Sequence, residues 1–278
     1  LNTGYSDNSV LNMDWVTNYL YRQITYGGRT DIGMWGMQCI GMFRSFQDIQ
    51  EYVQANNITS YMGMSPENIR PGMLIYKDVR GTNGVGGPDG IVDQNDDQVC
   101  LSNRSNPYGF SLNLSAEWKG ISLTTQFQAS WGGYSMIDGA ALKTGDGLAI
   151  TNMPSFWNPD NMYVYEDIYD GSGNLIMKAN RDAEYPNLKY ASVNAAQSNF
   201  WRVSGTTIKW SRLTLAYSIP SKWLKATGIG IKSVRLNITG QNLLSLYNPY
   251  PDKYIDPMSS YGRYPALRKF TLGVNVSF

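Results

Sequence analysis

The stretch that decides the fold is Tyr108-Gly-Phe-Ser-Leu-Asn-Leu-Ser-Ala-Glu-Trp118, followed by Lys119-Gly120 and then Ile121-Ser-Leu-Thr-Thr-Gln-Phe-Gln-Ala-Ser-Trp131. Tyr108, Phe110, Leu112, Leu114, Ala116 and Trp118 alternate with small or polar residues. After the two-residue break the alternation restarts at Ile121, Leu123, Thr125, Phe127, Ala129 and Trp131. Period-two alternation marks a strand with one apolar face, and two such runs joined by two residues make a tight hairpin. Each run has about 11 residues, the length a tilted strand needs to cross a bilayer.

Three more stretches carry the same signal. Leu213, Leu215, Tyr217 and Ile219 alternate up to Pro220, with Ile208 and Trp210 in the opposite phase, which places a bulge near Ser211-Arg212. Val234, Leu236 and Ile238 open another strand. Phe270, Leu272, Val274, Val276 and Phe278 form the last, and they are expected to face lipid. A soluble sandwich and a transmembrane barrel both accept this pattern, and connection lengths separate them. The first two strands are joined by two residues, whereas the links from Gly132 to Gly205 and from Ser245 to Ala266 are long. The link from Pro220 to Ser233 is moderate. Short links then fall at one end of the sheet and long ones at the other, as in outer-membrane barrels with short periplasmic turns and long extracellular loops.

The expected fold is therefore all-β, an antiparallel transmembrane β-barrel with long extracellular loops. Residues 1–107 are expected to hold one barrel strand, ending near Phe43, and an exterior loop over 44–107 with an acidic, Gly-rich segment. Residues 108–278 are expected to hold the last five strands, with exterior loops at 132–205 and 245–266. Within the first exterior loop, Ser45 is placed to cap a helix running through Asn56, with Phe46, Ile49 and Val53 on one face. Ser65-Pro66-Glu67 reads as another short helix start.

Composition narrows the functions open to such a chain. Of 278 residues, 23 are Lys or Arg and 22 Asp or Glu, a net charge of +1 that leaves no basic footprint for nucleic acid. Histidine is absent, which excludes Ser-His-Asp and Cys-His catalysis and HExxH zinc sites from anything the chain does alone. Two cysteines, Cys39 and Cys100, are too few for a zinc site, and the spacing leaves their pairing open. No stretch approaches the roughly 18 apolar residues of a membrane-spanning helix. A mean hydropathy of -0.34 is still compatible with a barrel, whose alternating strands average out. The chain opens on Leu1 and is expected to be a processed product or a piece of a longer protein.

Two constellations are candidates for chemistry. Asp89-Gly90, Asp93 and Asp96 follow the second half of an EF-type calcium loop, with Asp78 upstream as a further oxygen donor. Val85 and Gly87 stand where ligands of the first half belong, so an acidic surface turn is the competing reading. Trp157, Tyr163, Tyr165 and Tyr169 lie among Asp160, Glu166, Asp167 and Asp170 in the long loop. Aromatic faces beside carboxylates suit contact with a substrate or a lid protein, and they equally suit the packing of a long loop. Glu166 with Asp170 or Glu184 could serve as the acid pair of a carboxylate-only glycoside hydrolase, although nothing in the sequence fixes their spacing.

Several stretches resemble one family. Tyr261-Gly-Arg-Tyr-Pro-Ala-Leu-Arg-Lys-Phe-Thr-Leu-Gly-Val-Asn-Val-Ser-Phe278 resembles the C-terminal strand of SusC/RagA-type TonB-dependent outer-membrane transporters. Val234-Arg-Leu-Asn-Ile-Thr-Gly-Gln-Asn-Leu-Leu244 and Ile208-Lys-Trp-Ser-Arg-Leu-Thr-Leu-Ala-Tyr-Ser-Ile-Pro220 are similar to the two strands before it. Pro71-Gly-Met-Leu-Ile-Tyr-Lys-Asp78 and Asp89-Gly-Ile-Val-Asp93 resemble a further paired motif, with Met73 where the family has an acidic residue. The resemblance runs from about Asp31 to Phe278. It implies the C-terminal strands of a barrel of about 22 strands, in an importer of oligosaccharides or oligopeptides that is not an enzyme. It also implies an upstream plug and remaining barrel, energy through TonB, and a SusD-like surface lipoprotein closing over the mouth. A non-transporting adhesin or sugar-binding β-domain is the alternative.

Overall fold

The computed structural model describes residues 1–5, 34–84, 86–102, 108–137, 160–226, 228, 230–250 and 267–278. The chain forms two compact units. One comprises residues 1–6, 106–133 and 204–278, and the other 7–105 and 134–203.

The first unit is a six-stranded antiparallel sheet made of β1 (Asn2–Tyr5), β2 (Tyr108–Trp118), β3 (Ile121–Trp131), β4 (Thr207–Ser218), β5 (Ser233–Tyr247) and β6 (Lys269–Ser277), paired in that order. The expected hairpin is present with its limits unchanged. Its turn is Lys119-Gly120, with φ of 48° and 83°, the doubly left-handed geometry that matches strand twist in a two-residue hairpin. Gly120 is required on a second ground, because a Cβ there would lie 2.9 Å from the carbonyl oxygen of Ser218.

Register settles how the faces align. Leu123 of β3 pairs Leu215 of β4, Leu215 pairs Ile238 of β5, and Ile238 pairs Leu272 of β6. One line of apolar side chains thus crosses four strands on a single face. The alternate positions put Thr124, Thr214, Thr239 and Thr271 in line on the other face by the same pairings. The expected bulge appears as a register shift between Trp210 and Arg212. It keeps Trp210 stacked on Phe127, with centroids 5.8 Å apart, while Arg212 pairs Gln126.

The sixth strand of this sheet corrects the sequence-based expectation. It is β1 at Asn2–Tyr5, which pairs the start of β2 from Tyr108 to Ser111. The strand ending near Phe43, Cys39–Met42, pairs Leu74–Tyr76 in the second unit. Among the described residues it makes no pairing with the six-stranded sheet, and Cys39, Met42 and Phe43 are buried in that unit's core. Long connections leave the sheet after β1, β3 and β5, and short ones join β2 to β3 and β4 to β5, so the asymmetry of lengths is preserved.

The second unit draws on the long connections after β1 and β3. Its short strand pairs are Met34–Met37 with Gln98–Ser102, Cys39–Met42 with Leu74–Tyr76, and Ser60–Tyr61 parallel to Ile91–Val92. The helix α1 (Phe46–Ala55) begins at the expected cap. Ser45 Oγ accepts from the Asp48 N–H at 3.1 Å and Asp48 Oδ2 accepts from the Ser45 N–H at 3.1 Å, a reciprocal capping box. Ile49 is buried beneath it, whereas Phe46 is exposed. Large buried side chains fill the core, among them Tyr61, Tyr76, Tyr163 and Trp201. Their polar tips are satisfied by backbone: Tyr61 Oη donates to Leu74 O at 2.6 Å, Tyr76 Oη to Val193 O at 3.0 Å and Trp201 Nε1 to Asn194 O at 2.6 Å. An aromatic core works only when these groups find partners. Cys39 is buried and Cys100 is exposed, and no disulfide joins them.

Candidate functional site

The acidic loop folds around a residue that sequence spacing did not single out. Asp97 is fully buried. Its Oδ1 accepts the N–H groups of Val79 at 2.6 Å and Arg80 at 3.0 Å, and its Oδ2 accepts that of Asp93 at 3.0 Å. Asp78 is also buried, with Oδ2 accepting the Gly90 N–H at 2.7 Å. Gly90 (φ 82°) is held where a Cβ would meet Asn57 O at 2.5 Å. Burial pushes the carboxyls of Asp97 and Asp78 above the ordinary range, although the backbone N–H groups pull the other way.

The same loop holds the other candidate calcium ligands. Asp89 Oδ2 accepts from the Thr82 N–H and Oδ1 from the Ile91 N–H, while Asp93 Oδ1 accepts from the Asn95 and Asp96 N–H groups. Asp78 Oδ1 is buried without a hydrogen-bond partner, as a cation's ligand would be, but calcium takes six to eight oxygens. Among the described residues no group of three acidic or thiol side chains converges to hold a metal ion. The carboxylates of Asp78, Asp89 and Asp93 accept N–H groups of their own loop, and Asp96 contributes its N–H to Asp93. A doublet of carboxylates, Asp96-Asp97, was the available sequence signal, and only the second of the pair turns inward.

The aromatic set divides as well. Trp157 lies outside the described residues. Tyr163 is 0% exposed, its hydroxyl donates to Arg44 O at 2.5 Å, and burial pushes its phenol up to about 12, so its ring packs in the core and is not a surface contact. Tyr165 is half-buried, edge-on to Phe46 at 5.4 Å, with the Arg181 guanidinium 4.3 Å over its ring. Tyr169 is 56% exposed on a hairpin of Ile168–Tyr169 and Leu175–Met177 whose Ile168, Leu175 and Ile176 are exposed too. Asp170 shapes its tip, accepting from the N–H groups of Ser172 and Asn174. With Glu166 and Glu184 also exposed, no enclosed acid pair forms from these groups.

In the sheet unit the two faces differ in chemistry. The apolar face is open along its length, from Leu114 and Trp118 through Leu215 and Ile238 to Phe270, Leu272, Val274 and Val276. The polar face carries a hollow of about 430 Å³ lined by Asn113, Thr124, Gln126, Arg212 and Thr214. Soluble proteins rarely leave so continuous an apolar surface bare.

Comparison with known proteins fits this architecture. The structure of the RagAB peptide importer in the open-open state superposes on 92% of this chain with a TM-score of 0.52 at 15% identity. The fold is that of part of the barrel of such a transporter. RagAB in the closed-closed state superposes on the same share with a TM-score of 0.50 at 16% identity. In sequence, the chain is 23% identical over 259 residues to the TonB-dependent receptor P3 of Formosa agariphila, covering 87% of this chain. No protein-family model matches. The chain spans 22% of the TonB-dependent receptor and 23–24% of the RagAB transporter chains. The proteins it resembles are receptors and transporters, not enzymes.

Proposed function

We propose that this chain is a wall segment of an outer-membrane active importer in a Gram-negative bacterium, taking up oligopeptides or oligosaccharides. The observation that carries this reading is the exposed apolar face crossing the sheet in register, opposite a polar face. Such a two-faced sheet suits lipid on one side and a watery lumen on the other. Phe270, Leu272, Val274, Val276 and Phe278 then contact outer-membrane lipid. An open sheet cannot sit in hydrocarbon, because unpaired backbone groups there cost several kcal/mol each. Further barrel strands must therefore flank the edges at β1–β2 and β6. These strands, a plug, and coupling to TonB belong to parts of the transporter outside this chain.

The long connections after β1, β3 and β5 lie on the cell exterior in this reading. The exposed apolar hairpin at 168–177 and Tyr165 are the surfaces offered to a SusD-like lipoprotein or to substrate. The test is uptake of labelled oligopeptides and oligosaccharides by cells lacking the full-length transporter, with and without its gene restored. Restored, TonB-dependent uptake of one class supports the reading. Surface protease cutting intact cells only within 219–232 defeats it.

A further inference from the structure

The end of the sheet that carries the short connections has a composition of its own. The Lys119-Gly120 turn lies against the end of β4, where the Ser218 N–H donates to Gly120 O at 2.8 Å. From there the chain passes Pro220 into a short helix, α2 (Ser221–Ala226), and returns through Lys232, whose N–H donates to Ser277 O at 2.7 Å. Two connections and the last residues of β6 are thus gathered at one end of the unit. Leu224 faces inward and anchors α2, which leaves Trp223 57% exposed beside Lys222 and Lys225. Trp118, at the last position of the apolar face, is 68% exposed, and Lys119 Nζ sits 4.7 Å over its ring.

Charge at this end is one-sided. Lys119, Lys222, Lys225 and Lys232 cluster there, with Arg235 just inside on the polar face donating to Ser122 Oγ at 2.8 Å. Glu117 is the single acidic side chain among the described residues of the whole sheet unit, and it projects from the polar face opposite Ser122. The chain as a whole is balanced, so this concentration is local.

An exposed indole at the end of the apolar band, a second on the adjoining helix, and lysines beyond them, with Glu117 on the polar face as the one carboxylate among the described residues of the unit, match one environment. Indoles settle at the boundary between acyl chains and headgroups, and lysines carry their ammonium groups outward into the phosphate layer. We propose that this end is a binding surface for anionic phospholipid, with Trp118 and Trp223 at the acyl boundary and Lys119, Lys222 and Lys225 on headgroup phosphates. The inference rests on the barrel reading above and deepens it. Short connections mark the periplasmic end, so the lipid is that of the inner leaflet, and acidic headgroups attract such a cluster.

The test uses the full-length transporter, purified and exchanged into nanodiscs of phosphatidylcholine mixed with phosphatidylglycerol. Native mass spectrometry then counts the lipids retained after stripping. Wild type is expected to retain phosphatidylglycerol several-fold over phosphatidylcholine. The Lys119→Gln/Lys222→Gln/Lys225→Gln variant is expected to lose that preference, and Arg268→Gln/Lys269→Gln, at the opposite end, to keep it. Equal retention of the two lipids by wild type, or an unchanged preference in the triple variant, overturns the proposal. Heat-modifiable migration separates the two readings: an assembled barrel without lipid preference sinks only this inference, whereas no barrel in wild type sinks the architecture. If the triple variant does not assemble, Lys222→Gln and Lys225→Gln singly, at exposed helix positions, carry the same comparison.

Discussion

The side-chain oxygen of Asn194 accepts the backbone N–H of Leu74 at 2.8 Å, across a separation of 120 residues. The amide nitrogen of the same side chain donates to Gly72 O at 3.0 Å and Asn187 O at 2.8 Å. One buried amide thus joins the two long connections that make up the second unit. Asn199 repeats the device on a smaller scale, bonding both the N–H and the carbonyl of Cys39.

Replacing Asn194 with Ala leaves the buried Leu74 N–H without its acceptor, while Gly72 O and Asn187 O keep the N–H groups of Asn187 and Tyr190. Such a loss costs about 1–3 kcal/mol. Hydrogen exchange on the full-length transporter should show the Leu74 amide losing protection while strands β2 to β5 keep theirs.

Asp97→Ala should loosen the loop from Val79 to Asp93 for the same reason, because three N–H groups lose their acceptor. Protease sensitivity between 78 and 97 checks it. The pH dependence has a definite sign. The folded pKa values of Asp78 and Asp97 are raised by burial, so the folded state takes up protons first as pH falls toward the ordinary carboxylate value. Between neutrality and that value, acidification should stabilise this loop in wild type. The Asp78→Asn/Asp97→Asn variant should lack that gain.

Asp48 behaves oppositely. The Ser45 hydroxyl, more than any other group, holds its carboxyl below the usual value. Its contribution to the α1 cap is present above the ordinary pKa and is lost as pH falls through the lowered folded value. Ser45→Ala should cost about 0.5–2 kcal/mol of local stability, measurable as faster exchange in the first turn of α1.

Chelation offers a separate check on the acidic loop. Since its carboxylates already accept their own backbone amides, removing divalent cations should leave protease resistance between 78 and 97 unchanged. A chelator-induced cut there would restore a calcium role for Asp78, Asp89 and Asp93.

Facing in the last strand can be read by charge insertion. An Arg near the bilayer midplane on the lipid face costs about 2–4 kcal/mol. Val274→Arg should therefore impair assembly of the heat-modifiable barrel, while Asn275→Arg, on the other face, should be tolerated. The reverse outcome inverts the facing.

What could be read beforehand followed from periodicity. β2 and β3 were legible to the residue because eleven-residue alternation leaves no second phase, and the slip between Trp210 and Arg212 announced its own bulge. β1 was not legible: Asn2-Thr3-Gly4-Tyr5 is too short to show a period, and only its pairing with Tyr108–Ser111 defines it. The strands of the second unit, two to five residues each, were hidden for the same reason. Asp97 was missed because its partners Val79 and Arg80 lie 18 and 17 residues away, and loop closure, not local spacing, decides which of two neighbouring carboxylates turns inward. Tyr163 looked like a ligand contact because the sequence cannot tell an aromatic that lines a surface from one that fills the space beneath it.

The extra residue in β4 has a consequence for how such a chain can change length. Ser211 is the residue skipped where Trp210 pairs Phe127 and Arg212 pairs Gln126, and its hydroxyl caps Gln126 O at 3.1 Å. Removing it would join Trp210 directly to Arg212 and leave Ile208, Trp210, Leu213 and Leu215 in one unbroken alternation. A single-codon deletion, which elsewhere in a strand turns every later side chain to the wrong face, is at this site neutral in parity. The strand thus contains a point where gene length can drift by one residue without exchanging its inner and outer surfaces.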